Sequence, residues 1–280
     1  MSVDGESAVD TLLSSLAGLD ALLVAFSGGT DSAFVLAAAV RALGPDRVVA
    51  ATAVSPSLPA SELAAAADFA GQLGVRHETP ATDEMSRDGY RANAGDRCYF
   101  CKAELLDTLR PLADQLGIVH IATGTNADDA LAGFRPGIRA ASERAALTPL
   151  LDAGLTKAAI RAASRDWGLV TWDKPAAACL SSRVAYGIEI SPARLARVEL
   201  AESLARQALR DSGIDVLNLR VRDLGDEARI EVDLEQVGAA AASPVTEAVV
   251  AAGFQAAYVD PAGFRSGSMN DLLTAPDDYR

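Results

Sequence analysis

One run in this chain combines the residue types and order needed to grip a polyanion: Ala25-Phe26-Ser27-Gly28-Gly29-Thr30-Asp31-Ser32. Gly28 and Gly29 allow a tight bend and leave backbone N–H groups uncovered. Those amides, the Ser27 and Ser32 hydroxyls and the N-terminus of a following helix form a cradle for phosphate. Asp31 at the helix start can carry Mg2+ against that phosphate. A plain glycine turn with Thr30 or Asp31 as N-cap accounts for a helix start by itself. The whole pattern SGGxDS, set between an apolar run and a helical one, points instead to nucleotide binding. A second polar run, Gly124-Thr125-Asn126-Ala127-Asp128-Asp129, also follows an apolar stretch. It is either a turn capped by Asn126 or Asp128 or a second wall of the same site, and the phosphate loop favours the wall.

The chain has three cysteines, Cys98, Cys101 and Cys179, and two histidines, His77 and His120. An odd cysteine count speaks against a disulfide framework and for thiol or metal chemistry. Cys98-Tyr99-Phe100-Cys101 is a C-x-x-C pair at a helix start, where the helix N-terminus and Arg97 favour thiolate. Cys179 by itself reads as a small buried residue. Lys174, Ser181, Ser182 and Arg183 around it make an electropositive setting that favours a reactive thiol. His77 reads as exposed and His120 as a core residue, with no role for either.

Arg220 and Arg222 alternate along Leu219-Arg220-Val221-Arg222, so they share one face of a strand. Glu231 lies on the expected partner strand. A solvated charged face and an anion pocket are both open readings of this set, since arginine forks suit phosphate and carboxylate.

The elements that position these residues follow from periodicity. Strands are expected at Ala21–Phe26, Arg47–Val54, Val75–Thr79 and Ile118–Thr123, and helices at Asp31–Leu43, Ala60–Leu73 and Cys98–Leu116. This alternation implies an α/β fold, a parallel sheet with helices on both faces whose ligands sit beyond the strands' carboxyl ends. Beyond Gly168 the pattern changes. Trp172–Tyr186 is irregular, and a Ser191-capped helix opens at Pro192 and runs to about Asp211. Strands at Asp215–Arg222 and Ala228–Asp233, a helix at Pro244–Ala252 and a strand at Gln255–Val259 complete a smaller α+β unit. The expected domains are 1–170 and 171–280.

At 280 residues the chain has ample length for a core. No apolar run approaches the roughly 20 residues of a membrane span, and the acidic start lacks signal-peptide order. A cytoplasmic protein without membrane partners is expected. The net charge of −13 repels phosphate backbones, so a small-molecule nucleotide substrate is favoured over nucleic acid.

SGGTDS resembles the phosphate loop of the PP-loop ATP pyrophosphatases, which have the adenine nucleotide alpha hydrolase-like fold. The resemblance implies ATP cleavage between the α and β phosphates, with Gly28, Gly29, Asp31 and Ser32 on the pyrophosphate and Ala53–Ser55 lining the adenine. SPSLP (Ser55–Pro59), RCYFCK, GTNADD, FRPG, KPAAACLSSRVAYG and GFRSGS (Gly263–Ser268) narrow the resemblance to the LarE family. That family adenylates carboxylates of pyridinium biscarboxylic acid mononucleotide and thiolates them for the nickel-pincer nucleotide of lactate racemase. Two sulfur routes occur in it. In one, the cysteine matching Cys179 is consumed and becomes dehydroalanine. In the other, a cysteine triad holds a 4Fe–4S cluster with one open iron. Cys98, Cys101 and Cys179 supply such a triad, so the cluster is the expected route, with zinc or a metal-free triad as alternatives. The resemblance further implies that Arg183, Arg220, Arg222, Glu231 and Arg265 line a substrate-phosphate pocket and that the chain is a homo-oligomer, a hexamer; from its place on the long helix, Glu199 or Glu202 is expected to face that pocket. Two other readings are a PP-loop tRNA thiolation enzyme and a non-catalytic nucleotide-binding module.

Overall fold

The computed structural model describes residues 3–131, 136–175, 179–265 and 267–269. Phe134 and Arg135 of FRPG, residues 176–178 of the Cys179 motif and Ser266 of GFRSGS lie outside the described residues. The chain divides into two compact units, one of residues 1–84 and 98–177, the other of residues 85–97 and 178–279. The division at 177/178 lies near the single boundary expected at 170/171; in addition the chain leaves the first unit after Glu84 and re-enters it at Cys98.

The first unit is built on four parallel strands, β1 (Leu22–Ala25), β2 (Val48–Ala51), β3 (Arg76–Glu78) and β4 (His120–Ala122). Their spatial order is β3-β2-β1-β4, with Val24 paired to Ala50 on one side and Ala122 on the other. Every residue of β1 is buried. Leu22 and Val24 face one apolar cluster with Phe26 and Phe34, whereas Leu23 and Ala25 face another with Leu106, Leu109 and Ile121. A strand covered on both faces needs continuous apolar residues rather than alternation, which is why this one is legible as Leu-Leu-Val-Ala.

Successive connections run from β1 to β2 on one side and, later, to β4 on the other. The strand order therefore reverses beside β1, which places a crevice at the carboxyl ends of β1 and β4. Both polar runs singled out above leave the sheet there.

A helix over Val3–Ala17 had no counterpart in the sequence reading. Its Leu12 and Leu16 are fully buried in the core, each contributing roughly 1.5–3 kcal/mol. Its acidic, Gly-containing first half hides that apolar stripe. Shorter helices over Pro136–Glu143 and Lys157–Asp166 also went unread.

The second unit contains β5 (Leu219–Asp223), β6 (Glu227–Val232) and β7 (Ala256–Val259), in the order β5-β6-β7. β5 and β6 are antiparallel and β7 runs parallel to β6. The helix Pro192–Asp211 starts as read, with the Ser191 hydroxyl accepting from the Arg194 N–H at 3.3 Å. Its buried stripe is Leu195, Val198, Ala201, Ala205 and Leu209. Residues 85–97 belong to this unit through Tyr90, which is fully buried, and Asn93, whose amide donates to the Ala185 and Ile188 carbonyls at 2.8 and 2.9 Å.

Candidate active site

The loop after β1 has the backbone an anion cradle needs. Gly28 has φ +73°, a left-handed conformation that side-chain-bearing residues rarely adopt, with Ala66 Cβ only 3.4 Å from where a Cβ would stand. Gly29 precedes the helix Thr30–Leu43 and offers no side chain to cap its first amides. The first N–H groups of a helix lack intrahelical acceptors, and at this helix start no N-cap side chain takes them up. Ser32 Oγ donates to Gly29 O at 3.1 Å and lies 3.1 Å from Ser27 Oγ. Thr30 Oγ1 donates to the Thr171 carbonyl at 2.8 Å. Ser27 and Ser32 thus brace the loop from within, and Thr30 ties it to a distant segment.

The loop after β4 reaches the same place. A Cβ added to Gly124 would stand 2.7 Å from the Ser32 nitrogen, so only glycine permits this approach. Thr123 Oγ1 and Thr125 Oγ1 are 3.1 Å apart and buried. Asn126 caps the short helix Ala127–Leu131: its Oδ1 accepts from Asp129 N, and its own N–H donates to Asp129 Oδ2. Asn126 Nδ2 also donates to Asp31 Oδ2 at 3.0 Å. Asn126 thus caps its helix and at the same time ties the loop after β4 to the phosphate loop.

Asp31 Oδ1 is buried and, among the described residues, has no hydrogen-bond partner. Burial raises its carboxyl above the ordinary aspartate value. Lys157 and the Asn126 hydrogen bond oppose that, Asp129 adds to it, and Arg161 opposes it again. An orphaned carboxylate oxygen beside open helix-terminal amides fits a divalent cation escorting phosphate. Ala25 ends β1 and Ala53 follows β2, half-buried, on the same sheet edge.

Some neighbouring residues differ from the sequence reading. His77 is half-buried rather than exposed, with Nε2 2.8 Å from Thr52 Oγ1, and burial lowers its pKa. Glu84, unread before, is buried and accepts from Ser55 and Ser57 at 2.5 and 2.7 Å.

Cys98 is exposed and Cys101 half-buried, in the first two turns of the helix Arg97–Gln115. Arg97 is engaged elsewhere than the thiolate role given it. Its guanidinium donates to Asn93 Oδ1 at 2.5 Å and Ser181 O at 2.8 Å, and stacks over Tyr186. The cation beside the pair is Lys102. Burial lowers its pKa, and the charges of Cys101, Asp129 and Cys98 act the other way.

In the second unit, half-buried Cys179 caps a 3-10 turn over Leu180–Arg183. Its carbonyl accepts from Ser182 N, Ser182 Oγ and Arg183 Nη1 at 2.9, 2.8 and 3.1 Å. Arg183 is itself clamped by Glu202, at 2.9 Å. Arg222 donates to Glu231 and Ser268, and Arg229 to the other oxygen of Glu231. Arg220 is buried, its pKa pushed down to about 10 by burial and then by Arg183, with Arg222 and Arg206 adding smaller repulsions and Glu202 opposing. Arg265 is exposed. Among the described residues no three His, Cys, Asp or Glu side chains are grouped to hold a metal ion. Cys98 and Cys101 lie in one unit and Cys179 in the other.

The NAD synthase family model matches residues 8–96, which include the phosphate loop and β1 to β3. An uncharacterized protein of Synechocystis sp. is 41% identical over 273 residues, 96% of this chain and 99% of the relative. The pyridinium-3,5-bisthiocarboxylic acid mononucleotide synthase of Lactiplantibacillus plantarum is 34% identical over 266 residues, 94% of each chain. The chain belongs to the LarE family. It is an ATP-using sulfurtransferase of the PP-loop type. The resemblance first read from scattered motifs thus extends over nearly the whole length. What sequence reasoning missed in this LarE chain are the supports: Glu84, Tyr90, Asn93 and the anchoring of Lys174. Only tertiary contact reveals them, because none sits in a recognisable spacing.

Proposed function

We propose that this chain adenylates the carboxylates of pyridinium-3,5-biscarboxylic acid mononucleotide and converts them to thiocarboxylates, a step toward the nickel-pincer nucleotide of lactate racemase. The observation that carries the reading is the pairing of Asp31 with Asn126 at 3.0 Å, which leaves Asp31 Oδ1 unpartnered beside the amides of the phosphate loop. Similarity to a synthase named for the bisthiocarboxylic product supports the substrate.

In this reading Ser27, Gly28, Gly29, Thr30 and Ser32 hold the pyrophosphate end of ATP, and Ala25, Ala53, Gly124, Thr125 and Asn126 line the rest of the nucleotide. Asp31 would hold Mg2+, which offsets the charge of the polyphosphate. A substrate carboxylate oxygen attacks the α-phosphorus, and pyrophosphate leaves with the electrons of the broken P–O bond. Helix-terminal N–H groups stabilise the charge that develops. A sulfur nucleophile then attacks the acyl carbon and AMP departs. Arg183, Arg220, Arg222, Glu231 and Arg265 are the proposed substrate-phosphate set. Arg220 is a desolvated cation beside Arg183, only partly offset by Glu202, and an anion there would stabilise it further.

The Cys179 thiolate supplies the nucleophile from this chain's own residues. Its acyl thioester then loses a Cα proton as the Cβ–S bond breaks, which leaves dehydroalanine and a thiocarboxylate. A 4Fe–4S cluster on Cys98, Cys101 and Cys179, the route expected from the sequence, rests on the cysteine triad and the family resemblance. No described three-ligand group supports it, and no step is routed through it. A homo-oligomeric, hexameric assembly and a cytoplasmic site of action complete the proposal.

The test is release of pyrophosphate from ATP on addition of the biscarboxylic mononucleotide, with tRNA as the comparison. Release with the mononucleotide alone is expected. Release with tRNA, or none with either, sinks the reading. Mass spectrometry of Cys179 after one turnover and iron and sulfide analysis of anaerobically purified protein separate the two sulfur routes.

A further inference from the structure

We propose that Lys174 is a contact residue for the pyrophosphate end of ATP, kept at the phosphate loop by Glu62 until the polyanion arrives. The proposal rests on the ATP reading of that loop. Lys174 Nζ donates to the Gly28 carbonyl at 3.0 Å and to Glu62 Oε2 at 2.7 Å. An ammonium has three donors, so among the described residues one N–H is left over. Asp31 Oδ1 is a leftover acceptor in the same loop. A spare donor held at Gly28 and a spare acceptor at Asp31, both on the loop that opens the helix, suit a phosphate and its divalent cation.

The base of the side chain is fixed as firmly as its head. The Lys174 carbonyl accepts from Arg161 Nη2 at 3.0 Å and from Thr30 Oγ1 at 3.5 Å. Thr30 Oγ1 also donates to Thr171 O at 2.8 Å. Residues 171–174 therefore grip the loop at Thr30 while the lysine head reaches Gly28. The cations that act on Asp31 are differently engaged: Lys157 lies 3.9 Å from Asp31 Oδ2, and Arg161 is bound to the Lys174 carbonyl. Lys174 is the one of the three whose charged head touches a backbone atom of the glycine pair.

A plain strut between the segment and the helix Ala60–Gln72 would use the same contacts. The two roles differ in what Glu62 does. As a strut, the Glu62–Lys174 pair holds the loop in shape, and its loss weakens ligand binding. As a contact residue, Lys174 is partly neutralised by Glu62, and a carboxylate near the incoming polyanion repels it. Removing the carboxylate then strengthens binding.

Titration calorimetry with magnesium pyrophosphate, ATP and AMP on the full chain distinguishes them. Lys174→Met is expected to weaken pyrophosphate and ATP by about tenfold or more, the loss of one charge-assisted hydrogen bond, and to leave AMP within about twofold. Lys174→Arg restores part of the loss. Glu62→Gln tightens pyrophosphate by about two- to fivefold, as expected for removal of a partly screened like charge. Equal weakening of AMP and pyrophosphate by Lys174→Met, or weaker pyrophosphate binding in Glu62→Gln, overturns the proposal while the ATP reading stands. A wild-type chain that binds neither ATP nor pyrophosphate overturns both. If Lys174→Met does not fold, the opposite signs expected for Glu62→Gln decide the matter.

Discussion

Asn126 Nδ2 donates to Asp31 Oδ2 across 3.0 Å, so the loop after β4 fixes the carboxylate that the loop after β1 presents. Two segments 95 residues apart in sequence thereby fix this carboxylate, and among the described residues its Oδ1 has no partner. Cation binding and stability pull in opposite directions at that oxygen.

Asp31→Asn is expected to abolish ATP-dependent pyrophosphate release and to raise the melting temperature of the ligand-free protein by up to about 3 °C. The folded-state pKa of Asp31 is raised from 3.8. Between that value and the folded one, the native chain holds a proton that the unfolded chain has released. Stability falls as pH climbs through this window and the penalty is complete above it. The rise in melting temperature should thus be present at neutral pH and vanish below the ordinary aspartate value, which calorimetry at two pH values checks.

Gly124→Ala should lower stability by about 1–3 kcal/mol through overpacking, because the new methyl meets the Ser32 backbone at 2.7 Å. The backbone must shift to admit it, so ATP affinity falls as well. Denaturant titration and nucleotide binding, run on the same variant, would show both losses; a neutral outcome in either contradicts the close approach.

Asp233 accepts from Leu217 N at 2.6 Å and from Asn218 N and Nδ2. Burial raises its carboxyl, but the Asn218 side-chain bond and then backbone donors outweigh burial and hold it below 3.8. Its contribution is present above 3.8 and lost as pH falls through the lower folded value. Asp233→Ala is expected to cost about 1–3 kcal/mol at neutral pH, and the gap to wild type should close under strong acid.

Asn93→Ala removes the donor to the carbonyls of Ala185 and Ile188 and the acceptor for Arg97, the first and last of these bonds being buried and the Ile188 bond part-buried. Destabilisation of about 2–4 kcal/mol is expected, from orphaned buried polar groups. Because Arg97 also holds the Ser181 carbonyl, the Cys179 turn should loosen, and alkylation of Cys179 should accelerate in Asn93→Ala relative to wild type. Peptide mapping after timed iodoacetamide treatment reads this directly.

The central strands and the long helices were legible because burial on both faces leaves a plain signal. Leu22–Ala25 has no polar residue, and Ser191-Pro192 marks a helix start by capping chemistry that depends on neighbours in sequence. The phosphate loop was legible for the same local reason. Lys174, Glu84 and Asn93 were not, since their partners lie 146, 29 and 92 residues away in sequence. Arg97 misled through proximity: next to Cys98 in sequence, its side chain turns to Ser181. The Val3–Ala17 helix escaped because acidic residues and Gly5 mask three apolar positions, Val9, Leu12 and Leu16, that meet the core.

The excursion of residues 85–97 out of one unit and into the other constrains how this protein can be made. On the ribosome those residues emerge long before the turn at Ser181 and the loop at Ala185 that they must bind, so Tyr90 and Asn93 wait exposed while nearly another hundred residues are synthesised. A fragment that starts at residue 178 would lack them altogether. The two units therefore cannot be separated by one scission, and exchange of the C-terminal half between relatives would have to carry this short upstream segment with it.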